Sequence, residues 1–160
     1  MKEEVDLNAV ARSAAAWMGP LLAESTRAFS LECAPSLPTM LGNRRRLEQV
    51  MVNLIQNACQ AQVNSDGAVR VSTAFDAAGE QVIVEVSDSG EGMDEEVVRH
   101  IMDPFFTTRR SKGGTGLGLS ISATIVREHG GELSFSSRLN EGTVARITFP
   151  IHAIDGARRE

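Results

Sequence analysis

Apolar residues recur at a helical interval in one part of the chain with special clarity. Leu47, Val50, Met51, Leu54, Ile55 and Ala58 fall at i, i+3, i+4, i+7, i+8 and i+11. This is the stripe of an amphipathic helix, and it predicts one over 44–62. Asn43 stands where the N-cap belongs. Residues 8–24 also read as helical, with Gly19-Pro20 as a kink. Val5 to Asn8 reads as a short strand or a helix entry, 27–34 alternates like a strand, and 35–38 reads as a loop. Residues 68–76 and 81–87 alternate on either side of Ala77-Ala-Gly-Glu, which predicts an antiparallel hairpin. Asp94 can cap a short helix over 95–101. A last helix is expected from about 116 to 129, closed by Gly130-Gly131. Strands over 132–137 and 143–150 follow, turning at Asn140-Glu-Gly142.

Strands and helices mix here without regular βαβ alternation. That favours an α+β fold, a two-layer sandwich in which a mixed, largely antiparallel sheet is covered on one face by helices. The length of 160 residues suits a single domain, taken as 1–152 with a frayed tail over 153–160. Hydrophobic residues make up 42%, enough for a packed core. No run is apolar for the length of a membrane span, and the N-terminus has no apolar signal region. The expectation is a cytoplasmic domain without direct membrane contact. A net charge of −5 and 4% aromatics argue against nucleic acid as a partner. Cys33 and Cys59 have neither CxxC nor metal spacing and read as free thiols.

Four stretches carry candidate chemistry. Asn53 and Asn57, four apart, border the buried face of the 44–62 helix, where carboxamide oxygens suit a hard cation such as Mg²⁺. Ser87-Asp-Ser-Gly-Glu-Gly-Met93 follows a strand directly. Its carboxylate, Asp88, can accept from an exocyclic amine, and Gly90 and Gly92 permit close backbone approach. Asp103-Pro-Phe-Phe-Thr-Thr-Arg-Arg-Ser-Lys112 combines two Phe that need burial with three basic residues that need water or anions, as a lid does. Gly113-Gly-Thr-Gly-Leu-Gly-Leu-Ser120 feeds a helix whose free N–H groups suit phosphate, without the Gly-Lys-Ser/Thr of a Walker loop. Taken singly, these are a polar helix flank, an acidic turn, an exposed basic loop and a hinge.

Taken in order, Asn-x-x-x-Asn-Ala, DxGxGM, PFFTT and GTGLGLS resemble the N, G1, F and G2 boxes of the catalytic ATP-binding domain of sensor histidine kinases. That domain shares a superfamily, and a Bergerat-type fold, with gyrase B, the Hsp90 chaperones and MutL. NLIQNACQA and DPFFTTR look most like the nitrogen-regulation and oxygen-sensing kinases. The resemblance implies ATP and Mg²⁺ as cofactors, with Asn57 as main metal ligand and Asn53 assisting. It implies that Asp88 accepts from the adenine amine, beside Gly90, Gly92, Met93 and Thr143. It places Phe106, Thr107, Thr108, Gly114, Thr115, Gly116, Leu117, Gly118 and Leu119 along the nucleotide, and Phe105 with Phe106 as lid anchors. Arg109, Arg110 or Lys112 would approach the γ-phosphate, and Arg109 and Lys112 join Asn53 and Asn57 as candidate catalytic residues.

The implied activity is transfer of the γ-phosphoryl group to a histidine on a dimerisation hairpin outside this chain, and from there to a response regulator receiver domain. His100, His129 and His152 lack the setting of a phospho-acceptor and read as surface or capping residues. The hydrolysing clamps of the superfamily carry a Glu base four residues before the metal Asn; here that position is Asn53, and a carboxamide cannot take the proton of an attacking water. Gln60 and Ala61 replace the Lys and aromatic residue that many kinases carry. The alternatives are a serine kinase of anti-sigma type and a degenerate nucleotide-binding signalling module.

Overall fold

The computed structural model describes residues 2–104, 106 and 118–151. Five strands form the main sheet, in the order β2-β4-β5-β7-β6. They are β2 (Ala28–Glu32), β4 (Ala68–Asp76), β5 (Gln81–Asp88), β6 (Glu132–Arg138) and β7 (Gly142–Pro150). Only the β2–β4 pairing is parallel, so the sheet is mixed and largely antiparallel as expected. A separate two-stranded ribbon joins β1 (Glu3–Val5) to β3 (Met40–Gly42). At three residues, β3 is too short to show a period-two pattern.

The alternation along the strands sorts the two faces. Val69, Val71, Val82, Val84, Val86, Ala145, Ile147 and Phe149 are buried beneath the helices. The other face is polar, with Arg70 bonded to Glu32 at 2.7 Å and Arg146 facing Glu85 across β7 and β5 at 3.6 Å. The helical layer centres on α3 (Arg44–Ala61). All six residues of its sequence stripe, Leu47 to Ala58, are buried. Asn43 caps it as expected, its Oδ1 accepting from the Arg46 N–H at 3.1 Å.

The expected kinked helix over 8–24 is instead two helices, α1 (Leu7–Trp17) and α2 (Gly19–Ser25), meeting at Met18. Pro20 has no N–H to continue the ladder of α1, and it suits the first turn of α2. The residues before α1 are both strand and helix entry: Glu3–Val5 extends, then Asp6 accepts from the Asn8 N–H at 2.9 Å. Asp94 caps α4 (Glu95–His100) by accepting from the Val97 N–H at 2.9 Å. Helix α5 (Gly118–Glu128) packs against α3 and ends before Gly130, whose φ is +79°. No described helix is long and apolar enough to cross a membrane.

Candidate functional site

A cleft opens between the C-terminal half of α3 and the ends of β5, β7 and β6. Leu54, Ala58 and Ala61 form the α3 wall, and Val86, Phe135 and Ala145 rise from the sheet. Met93, Ile101 and Leu119 close the remaining sides. Among the described lining residues, only Asn57, Asp88 and Thr143 carry polar side chains, and none is Lys, Arg or His. A narrow apolar slot with a few converging polar groups suits a flat, largely apolar ring that carries one polar edge.

The polar floor is fixed by strand register. Asp88 ends β5 and Thr143 is the second residue of β7, and the two are direct cross-strand partners. The Asp88 carboxylate accepts from the Gly90 N–H at 2.8 Å, which holds its orientation. Behind Thr143 stands Ser137 of β6, its Oγ 2.7 Å from the Thr143 Oγ1. The same Ser137 oxygen accepts from the Met93 N–H at 2.8 Å and lies 2.9 Å from the Gly142 carbonyl. Ser137 therefore ties the loop bearing Met93 to the start of β7. No sequence motif pointed to Ser137; its role rests on register that only the fold supplies.

The glycines of this region serve backbone-to-backbone contact. A Cβ on Gly90 would stand 2.2 Å from the Ala61 carbonyl oxygen, and one on Gly92 would stand 1.9 Å from that of Arg138. Gly92 also has φ of +70°, in the left-handed region. Two hydrogen bonds accompany these crossings, from the Glu91 N–H to the Ala61 carbonyl at 2.9 Å and from the Asn140 N–H to the Glu91 carbonyl at 2.7 Å. A Cβ on Gly142, with φ of +103°, would stand 2.0 Å from the Asp88 carbonyl oxygen. The loop is thus clamped to α3 on one side and to the β6–β7 turn on the other, with Gly92 and Met93 facing the cleft.

Asn57 lies on the cleft wall, one turn beyond Asn53 on the same side of α3. Asn53 reaches toward α5, its Nδ2 donating to the Gly118 carbonyl at 3.3 Å and to the Ser122 Oγ at 3.2 Å. With the amide protons so used, Oδ1 is the atom of Asn53 left to act as a ligand. Ser122 is fully buried and, like Ser137, carried no signal in the sequence. Burial raises the pKa of the Cys59 thiol, on the turn of α3 after Asn57, and the negative charge of Asp88 adds to the effect.

Phe106 is not among the described lining residues of the cleft; its ring centroid lies 5.8 Å from that of His100. His100 bridges two carboxylates, Nδ1 to Asp103 at 2.9 Å and Nε2 to Glu96 at 3.1 Å. It is a surface residue, as expected. His129, expected at the surface or as a cap, does bond the Ile125 carbonyl of its own helix through Nδ1 at 2.7 Å. It is nevertheless buried, and its Nε2 accepts from the Asn43 N–H at 3.0 Å. The ring packs against Gly42 and Asn43 at the start of α3, which covers most of its surface. The expectations for Phe105, Thr107, Thr108, Arg109, Arg110, Lys112, Gly114, Thr115, Gly116, Leu117 and His152 lie outside the described residues, as does the tail over 153–160.

Known proteins resemble this chain in sequence and in fold. Residues 42–153 match the family of histidine kinase-, DNA gyrase B- and HSP90-like ATPases. The chain is 38% identical over 122 residues to the sensor protein FixL of Bradyrhizobium diazoefficiens, covering 76% of this chain and 23% of FixL. It is 36% identical over 129 residues to the sensory histidine kinase/phosphatase NtrB of Azospirillum brasilense, covering 73% of this chain and 32% of NtrB. The chain thus spans less than a third of the length of these curated relatives. Among solved structures, the catalytic domain of the histidine kinase ThkA superposes with a TM-score of 0.81 at 32% identity, covering 94% of this chain and 97% of that one. The chain belongs to the histidine kinase-, DNA gyrase B- and HSP90-like ATPase family, in the form taken by the catalytic domains of histidine kinases.

Proposed function

We propose that this chain binds Mg-ATP and transfers its γ-phosphoryl group to a histidine on a dimerisation hairpin outside the chain, as the catalytic part of a two-component sensor kinase. The observation that carries the reading is the cleft floor. There Asp88 and Thr143 face each other across two strands beneath apolar walls, with Asn57 beside them. Adenine matches such a slot: its faces are apolar enough for Leu54, Met93 and Leu119, and its amine can donate to Asp88.

The donor set accords with magnesium brought in on the triphosphate. The described residues include no cluster of three His, Cys, Asp or Glu side chains able to hold a standing metal ion. Carboxamide oxygens from Asn57 and Asn53 would supply the few protein ligands that such a cation takes. When bound, the cation neutralises charge on the phosphates. The chain's own residues bind and orient: Asp88 and Thr143 fix the base, the Gly90–Gly92 clamp fixes the loop around it, and α5 brings the positive end of its helix dipole, which favours anions. Arg109 and Lys112 are the candidate cations for the γ-phosphate. Transfer breaks the bond between the γ-phosphorus and its bridging oxygen, forms one to an imidazole nitrogen, and leaves ADP. Catalysis of this kind is mostly positioning and charge stabilisation. Asn53, where a hydrolytic clamp carries Glu, favours a protein acceptor over water.

The partners follow from the same reading: the hairpin, and then a receiver domain. The histidine kinase ThkA, 28% identical with a TM-score of 0.76, has been solved in complex with the response regulator protein TrrA. The test mixes this chain with a separate dimerising hairpin that carries its histidine, using labelled ATP. Acid-labile phosphate on that histidine is the expected result. Acid-stable phosphate on serine, or steady release of inorganic phosphate by the chain alone, would overturn it.

A further inference from the structure

Ser137 sits one hydrogen bond behind the cleft, and counting protons there gives its role. Its Oγ has three polar neighbours: the Met93 N–H at 2.8 Å, the Gly142 carbonyl at 2.9 Å and the Thr143 Oγ1 at 2.7 Å. A hydroxyl offers one proton and two lone pairs. The Met93 amide can only donate and the Gly142 carbonyl can only accept. The Ser137 proton therefore goes to Gly142, and one lone pair goes to Met93. The second lone pair faces Thr143, so Thr143 must supply the proton of that bond. What Thr143 then presents to the cleft is acceptor capacity alone. Its cross-strand partner Asp88 is a carboxylate, which also only accepts.

We propose that Ser137 is a positioning residue that sets the polarity of the cleft floor through Thr143, so that the site selects nucleobases presenting an exocyclic amine and rejects those presenting a carbonyl oxygen at that edge. The proposal rests on the nucleotide reading above and deepens it. An amine brings two N–H donors to two adjacent acceptors. A carbonyl oxygen in its place adds a third acceptor; the N1–H beside it can serve one of the two floor acceptors, and the other is left facing the carbonyl oxygen, desolvated and unpaired.

Calorimetry with ADP and with inosine diphosphate tests this, because the second nucleotide carries a carbonyl where the first carries its amine. The wild-type chain is expected to prefer ADP. Ser137→Ala releases the Thr143 proton, so ADP should bind more weakly while inosine diphosphate binds more tightly, and the preference should fall roughly tenfold. Simple loosening of the site would instead weaken both. Ser137→Thr keeps the hydroxyl and should restore the preference. In a Thr143→Val background, Ser137→Ala should leave the preference unchanged. If Ser137→Ala does not fold, Thr143→Val alone carries the test, with a reduced preference expected. An unchanged preference in the folded variant, equal weakening of both nucleotides, or a wild-type chain that binds both alike overturns the role of Ser137 and leaves nucleotide binding standing. A wild-type chain that binds neither removes the nucleotide reading itself, and this inference with it.

Discussion

The Asn53 side chain on α3 donates to the Ser122 Oγ on α5 at 3.2 Å, and the same amide nitrogen reaches the Gly118 carbonyl at 3.3 Å. One carboxamide thereby fastens the start of α5 to the helix that walls the cleft. Asn53→Ala should destabilise the chain by about 1–2 kcal/mol, since it leaves the buried Ser122 hydroxyl without this donor. Urea unfolding measures the effect, and an unchanged midpoint would contradict it.

Asp88 gives the cleft floor its charge. Asp88→Asn should weaken ADP binding by about 1–3 kcal/mol through loss of a charge-assisted hydrogen bond. Calorimetry reads this directly, and equal affinity in the two proteins would remove Asp88 from the base site.

Asn57 is a test of the metal assignment. In wild type, Mg²⁺ should tighten ATP binding, and Asn57→Ala should abolish that dependence while the nucleotide alone still binds. Titrations with and without magnesium settle the point; equal tightening in the variant would exclude Asn57 as a ligand.

His100 lies between Asp103 and Glu96, and its hydrogen bond to Asp103 holds its pKa above the usual 6.5. A histidine whose folded pKa is raised contributes stability that is fully present below the unfolded value and is lost as pH rises through the folded one. Stability from this bridge should therefore be complete below about pH 6.5, fade as pH rises from there to the raised folded value, and be absent above it. An NMR titration should place the His100 midpoint above that of a model imidazole, and Asp103→Asn should lower it. The stability difference between wild type and His100→Gln should shrink from acid to alkaline pH. A difference independent of pH would contradict the assignment.

Gly142 combines a φ of +103° with a Cβ position 2.0 Å from the Asp88 carbonyl oxygen. Gly142→Ala should cost more than about 2 kcal/mol, from strain and forced separation of β5 and β7. At Gly19 an added Cβ meets nothing within 4 Å, so Gly19→Ala should stay within roughly 0.5 kcal/mol of wild type. Thermal unfolding of the pair provides the comparison; similar losses would refute the steric account.

Long periodic elements were legible in the sequence, and interactions between elements were not. The stripe from Leu47 to Ala58 marked α3 and its buried side in one step, and the alternation of 68–76 and 81–87 marked the central hairpin. The Asn43 and Asp94 caps were legible because capping is a local interaction. The parallel pairing of β2 with β4 was hidden, since a single strand's pattern does not say which neighbour it joins. Among the site residues, Asn57, Asp88 and Gly92 stood out by type and spacing. Ser137, Ser122 and the buried His129 did not, because a lone serine or histidine gains meaning only from what folding sets against it. Gly90 was legible as a point of close backbone approach, but its close contact with the Ala61 carbonyl was not, because that contact joins distant segments.

The backbone crossings at Ala61, Arg138 and Asp88 bear on the kinetics of capture. Each fastens the loop or the strand ends to a segment distant in sequence, so the base end of the cleft is braced from both sides before anything enters it. A flat ring arriving there meets the Gly90–Gly92 loop and the strand ends already in place, so this part of the cleft needs no folding-like step, and differences in residence time among bases at the floor arise mainly in departure, as hydrogen bonds to it are broken.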